Sequence, residues 1–167
     1  SHLPTLEDLG DLEGKNVLVR ADFNVPFSAG EIRDELRIKE ALPTLKFLVK
    51  NGANVTVCSH LGRPKGTIDP NLSIEPVRKR LRELLPEVHL LENLRFNPGE
   101  ENNDSHFVNT LIEGQDLFVN DAFGASHRSH ASIVGPPQFL PSAAGRFLEK
   151  EVDVLLGIRQ KSRRPFV

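Results

Sequence analysis

Four short apolar runs in this chain each break directly into a polar, basic loop. They are VLVRADFN (17–24), VTVCSHLGR (55–63), HLLENLRF (89–96) and LFVNDAFGASHR (117–128). Just past the apolar positions stand Asp22, Asn24, His60, Arg63, Arg95 and Arg128. Guanidinium and imidazole groups carry several N–H donors, and arginine presents them as a planar fork that matches carboxylate and phosphate. Gathered at one edge, these side chains would hold a small, multiply charged anion. Arg37, on the first helix downstream, is a further candidate, although by itself it reads as a solvated helix-face charge.

Each residue also has a plainer reading. Asp22 and Asn24 either accept from substrate hydroxyls or close an Asx-turn before Pro26. Arg95, set between Leu94 and Phe96, has the look of a salt-bridged structural arginine, and His127-Arg128-Ser129-His130 that of a surface turn. The segment SHLGRP (59–64) is sharper, because His60 and Arg63 both suit an anion and Gly62 lets backbone approach closely. Cys58 and His60 lie two apart with no further ligands around them, so no metal site is expected. The plain readings weaken together: independent surface charges would not follow every apolar run and also occupy the first helix.

The elements that must position these residues can be read from periodicity. A strand is expected at 17–21, then a helix over 34–50 in which Pro43 imposes a kink or break, closed by Asn51-Gly52. A strand at 55–58 precedes a helix opened by Ser73, with Ile74, Val77, Leu81, Leu84 and Leu85 on one face and Pro86 as its stop. Strands at 88–92 and 117–119 flank a helix over 105–113. Pro136, Pro137 and Pro141 mark an extended segment, and a capped helix runs from Ser142 to about Gln160. Strands alternating with helices predict an α/β fold, a doubly wound parallel sheet of the Rossmann-like three-layer kind. Ligands of such sheets bind beyond the carboxyl ends of the strands, where the four loops fall.

At 167 residues the chain is long enough for one domain with a full core. A net charge of −2 argues against a broad nucleic-acid-binding face, so any basic cluster is local. One cysteine, Cys58, fits a reducing cytoplasm, and its place in an apolar run makes it a buried core residue. No run approaches a membrane span, and no secretory h-region opens the chain. No G-x-G-x-x-G follows a strand, GDLEGK (10–15) lacks P-loop spacing, and no G-x-S-x-G elbow is present.

The segments VRADFNVP, Arg37-Ile38, SHLGRP, LLENLRFNPGEE, VNDAFG with SHRSHAS, and PSAAG with FLEKEV resemble, in order, the N-terminal domain of phosphoglycerate kinase. The resemblance implies one lobe of a two-lobe enzyme that exchanges a phosphoryl group between ATP and the carboxylate of 3-phosphoglycerate. It implies substrate contacts from Asp22 and Asn24 to the hydroxyl region, with His60, Arg63, Arg95 and Arg128 around the phosphate. Arg37 would be the catalytic residue, approaching the carboxylate and the phosphoryl group in flight. Mg-ATP or Mg-ADP would bind on a second lobe. On this basis residues 1–144 form the phosphoglycerate-binding domain, 145–162 the interdomain helix and 163–167 the first residues of the nucleotide domain. The expected partners are 3-phosphoglycerate or 1,3-bisphosphoglycerate and that second lobe, with a monomeric whole enzyme in the cytoplasm and no nucleic acid or membrane.

Two departures from the family pattern stand out. The chain stops where the nucleotide domain would begin, so it is expected to be inactive alone. Also, the helix ending at Pro86 runs almost directly into HLLENLRF, as though one βα unit were missing near 86–90. The alternative from another class is a non-catalytic structural or folding piece that binds no ligand specifically.

Overall fold

The β-branched runs become the middle of a parallel sheet. The computed structural model describes residues 3–163, with the side chains of the last helix through Gly157. In chain order the elements are β1 (Asn16–Arg20), the small hairpin β2 (Phe27–Ser28) and β3 (Glu31–Ile32), α1 (Leu36–Lys50), β4 (Asn54–Cys58), α2 (Glu75–Leu84), β5 (His89–Leu90), α3 (Ser105–Ile112), β6 (Leu117–Asn120), α4 (Ala131–Val134), β7 (Ser142–Ala144) and α5 (Arg146–Arg163). The five main strands lie in the order β5-β4-β1-β6-β7, and every pairing is parallel.

Strand alternation divides the core into two layers. Val17 and Val19 face Ile38, Leu45 and Leu48 of α1 and Val77 and Leu81 of α2. Leu18 points the other way, against Phe107, Val108 and Leu111 of α3, with Phe118 and Ala131. Each of these side chains is close to fully buried, and each such Val or Leu contributes roughly 1.5–3 kcal/mol of transfer free energy. Helices on both faces of a parallel sheet make the doubly wound three-layer fold expected from the sequence. The chain winds outward through β4 and β5, then crosses to β6 on the other flank of β1. The crevice beyond the carboxyl ends of β1 and β6 is therefore a topological switch point.

Several elements differ from the sequence reading. Residues 142–144, expected to open a helix, form β7, because Ser142, Ala143 and Ala144 pair with Phe118, Val119 and Asn120. Tertiary pairing overrides the poor β propensity of Ser and Ala. Helix α5 begins at Arg146 instead of Ser142. Pro136–Gln138 is a 3₁₀ turn where an extended segment was expected. Strand β5 is confined to His89–Leu90. Helix α1 runs unbroken through Pro43, whose ring sits on the exposed face, where water can satisfy the carbonyl it strands. From α2 the chain turns tightly into β5, with the Val88 N–H donating to the Leu85 carbonyl at 3.2 Å. Residues 164–167, expected to belong to the first residues of the nucleotide domain, lie outside the described residues.

Cys58 is fully buried, and burial pushes its thiol up to about 12, so it is an inert core residue as expected. Among the described residues no helix is long and apolar enough to cross a membrane.

Candidate functional site

Three loops at the carboxyl edge are stitched together through Gly62. After β1, Asp22 Oδ1 accepts the Asn24 N–H at 3.1 Å, which is the Asx-turn. Asn24 Oδ1 then accepts the Gly62 N–H at 2.9 Å, joining the β1 loop to the β4 loop. Arg95 Nη1 donates to the Gly62 carbonyl at 3.1 Å, bringing in the loop after β5. Gly62 has φ +61°, and a Cβ there would sit 2.8 Å from Leu72 Cδ2, so the position favours glycine on both counts. Buried Asn93 reinforces the joint: its Oδ1 accepts from Leu61 N and Arg95 N, and its Nδ2 donates to the Leu61 carbonyl.

The structure brings all seven residues singled out in the sequence into one cleft of about 240 Å³: Asp22, Asn24, Arg37, His60, Arg63, Arg95 and Arg128. Gly124, from the loop after β6, lines it too, and a Cβ there would approach Asp22 Oδ2 at 3.3 Å. Arg37 leaves the first turn of α1 and pairs with Asp22 Oδ2, while about half of its side chain stays exposed. A larger cleft of about 530 Å³ lies between α1 and α5, but it contains none of the seven. Convergent charge, not size, marks the candidate site.

The electrostatics of the cleft are those of a cationic site. Arg95 is 6% exposed, and its Nε has no hydrogen-bond partner among the described residues. Burial lowers its pKa. His60, also 6% exposed, is driven down to about 2, first by burial and then by the nearby guanidiniums of Arg20 and Arg95. It is thus a neutral hydrogen-bonding group, not the cation its residue type suggests. Burial likewise lowers the pKa of His130.

Four buried polar residues with supporting roles escape the sequence reading. Arg20 is fully buried at the end of β1, donating from Nε to Ser132 Oγ at 2.8 Å and lying 2.9 Å from His60 Nδ1 through Nη2. Glu100, also fully buried, stands 3.9 Å from Arg20 and accepts from Ser132. The signal for Arg20 was present: a charge inside an apolar strand is rarely buried unless paired. Asp121 Oδ1 accepts from Phe147 N at 3.0 Å and Leu148 N at 3.3 Å, capping α5 from a distant loop. No local pattern announces that cap.

Among the described residues no set of three or more His, Cys, Asp or Glu side chains is grouped to hold a metal ion. What the geometry offers is a rigid, positively charged edge, with donors from four loops and one helix. The class this defines is a doubly wound α/β domain with a cluster of cationic side chains at its switch point.

A family model for phosphoglycerate kinase matches residues 6–90 and 86–167, and the chain belongs to that family. The phosphoglycerate kinase of Rubrobacter xylanophilus is 48% identical over 180 aligned positions, covering 94% of this chain and 46% of the relative. That of Moorella thermoacetica is 46% identical over 187 positions, covering 98% of this chain and 47% of the relative. The solved structure of phosphoglycerate kinase from Coxiella burnetii superposes with a TM-score of 0.85 at 33% identity, over 91% of this chain and 44% of that one. The Pyrococcus horikoshii enzyme gives 0.82 at 30% identity, over 92% of this chain and 45% of that one. The chain therefore spans about half the length of the curated relatives it matches. Both alignments to relatives run longer than its 167 residues, and the two family-model matches meet at 86–90.

Proposed function

We propose that these residues form the 3-phosphoglycerate-binding half of a phosphoglycerate kinase. The observation that carries the reading is the convergence of seven candidate residues, from four loops and a helix, on one cleft. Residues 1–144 would be the substrate domain, 145–162 the helix to a second lobe, and the stretch near 86–90 the place where a further βα unit of the family would fall. In the whole enzyme a carboxylate oxygen of 3-phosphoglycerate attacks the phosphoryl group of Mg-ATP. That oxygen is already ionised at neutral pH, so the chemistry needs no general base. Positioning and charge stabilisation then supply the rate, tasks suited to fixed guanidiniums.

In this arrangement Arg63, Arg95 and Arg128 surround the substrate phosphate, with His60 donating a hydrogen bond. Arg37 is released from Asp22 toward the carboxylate and the phosphoryl group in flight, and Asp22 and Asn24 hold the hydroxyl region. Mg-nucleotide would be held by the other half of the enzyme. A polypeptide of these 167 residues would bind substrate without turning it over.

A chemical-shift titration with 3-phosphoglycerate tests the reading. Signals of Asn24, His60 and Arg128 move together, and inorganic sulfate competes. Scattered or absent shifts would favour the alternative of a structural piece without a specific ligand.

A further inference from the structure

The polarity of the buried network behind the cleft runs in one direction. An arginine donates and never accepts. Arg20 Nε–H must therefore give its hydrogen to Ser132 Oγ, 2.8 Å away. The Ser132 hydroxyl then has its own hydrogen free for Glu100 Oε2, at 2.5 Å. Glu100 Oε1 accepts the Ser132 backbone N–H at 2.9 Å, so the carboxylate is held at both oxygens. On the far side, Arg20 Nη2 lies 2.9 Å from His60 Nδ1. Since Nη2 can only donate, Nδ1 must be the acceptor, and the single proton of a neutral imidazole sits on Nε2.

We propose that Glu100 and Ser132 are positioning residues for His60: they aim the Arg20 guanidinium at Nδ1 and thereby fix the imidazole as the neutral Nε2–H tautomer. The proposal rests on the reading of His60 as a ligand-facing residue, and it adds what His60 offers, a hydrogen-bond donor that does not change with pH.

The surroundings of His60 support a fixed state. Charged and titratable groups reach it from each loop packed against it: Arg20 from β1, Arg95 after β5, and Arg128 and His130 after β6. Glu100 is the acid beside Arg20, and both side chains are fully buried. A proton on Nδ1 would place two N–H groups nose to nose, and with Nε2 protonated as well it would set a second cation against Arg20. Both costs are severe away from water. Glu100 is 3.9 Å from Arg20, beyond hydrogen-bonding distance, so Ser132 carries the contact between them. Arg20 Nη1 also donates to the Ala21 carbonyl, so without the serine hydroxyl that bond is the remaining backbone anchor, about which the guanidinium turns toward Glu100 and away from His60.

The consequence for ligand choice is specific. The second ionisation of a phosphate monoester falls near pH 6. A histidine with an ordinary pKa would lose its charge over the same range in which the ligand gains one. A locked Nε2–H donor leaves the ligand alone to set the pH dependence, and the site then favours the phosphate dianion.

The test reads the imidazole nitrogens directly, by long-range proton–nitrogen correlation on the chain labelled with ¹⁵N-histidine and free of ligand, with His60 assigned by its loss in His60→Gln. The expected wild-type pattern is an unprotonated Nδ1 and a protonated Nε2, unchanged between about pH 5.5 and 8, the range that brackets an ordinary imidazole. Ser132→Ala is expected to introduce the Nδ1–H tautomer and a titration within that window, and Ser132→Thr, which restores the hydroxyl, to reverse both. A wild-type His60 protonated at Nδ1, or titrating near its ordinary value, overturns the proposal. So does a folded Ser132→Ala chain with His60 unaltered. The wild-type spectrum is decisive by itself if that variant fails to fold. Because no ligand is present, failure here is distinct from failure to bind 3-phosphoglycerate.

Discussion

Asn24 Oδ1 accepts the backbone N–H of Gly62 at 2.9 Å, locking the loop after β1 onto the loop after β4. A backbone N–H can only donate, so this contact sets the orientation of the Asn24 amide and turns its NH₂ away from Gly62. Asn24 is therefore a strut between two of the loops that line the cleft. Asn24→Ala removes one such bond and leaves Gly62 N–H without it. The expected loss of stability is about 0.5–1.5 kcal/mol, read from urea unfolding. A larger fractional loss is expected in phosphoglycerate affinity, because two loops shift. Unchanged affinity in a folded variant would show that the strut does not shape the site.

Arg95 sets function against stability. Its guanidinium is nearly buried, bonds Gly62 through Nη1 and leaves Nε unpartnered among the described residues. A buried, unsatisfied donor costs about 1–3 kcal/mol. Arg95→Met is thus expected to match the parent chain or exceed it by up to that amount in ligand-free unfolding, while losing the stabilisation that added 3-phosphoglycerate confers. A marked loss of stability without ligand would make Arg95 a structural residue, the plainer reading the sequence allowed.

Asp121 gives the chain a pH dependence of its own. Its carboxyl is 2% exposed, and burial pushes its pKa from 3.8 up to about 7, despite the N–H groups of Phe147 and Leu148 on Oδ1. Between about pH 4 and 7 the folded chain holds a proton that the unfolded chain has released, so stability falls as pH rises through that window. Asp121→Asn keeps the Oδ1 acceptor and removes the titration. Near pH 8 the variant is expected to be the more stable by on the order of 2–4 kcal/mol, with the gap closing toward pH 4. Parallel stability–pH curves for the two chains would contradict this.

The same cap makes Gly145→Ala informative. A Cβ at Gly145 would fall 2.2 Å from Asp121 Oδ1, and Phe147 and Leu148 would lose their acceptor as the carboxyl moved. Overpacking of this kind costs about 1–3 kcal/mol. Thermal unfolding checks it, and a silent substitution would mean that the start of α5 adjusts freely.

The alternation of β-branched runs with amphipathic stretches made the parallel sheet readable, because a continuous apolar run comes from a strand buried on both faces and the helical period from burial on one. The seven cleft residues were readable for a related reason, since each follows a strand or opens a helix. What escaped was set by contacts distant in sequence. β7 exists because Phe118 pairs with Ser142, and α5 starts at Arg146 because Asp121 supplies its cap. His60 showed its type but not its state, which depends on Arg20, Ser132 and Glu100, up to 112 positions apart. Residue type announces a charge; only the fold says whether it survives.

The most direct test of the central claim is calorimetric titration of the 167-residue chain with 3-phosphoglycerate at low salt. The account predicts one saturable site that weakens as ionic strength rises. It also predicts that binding is abolished in an Arg63→Ala/Arg95→Ala double variant with an unchanged fold. No binding heat from the parent chain, or equal binding by the double variant, would contradict it.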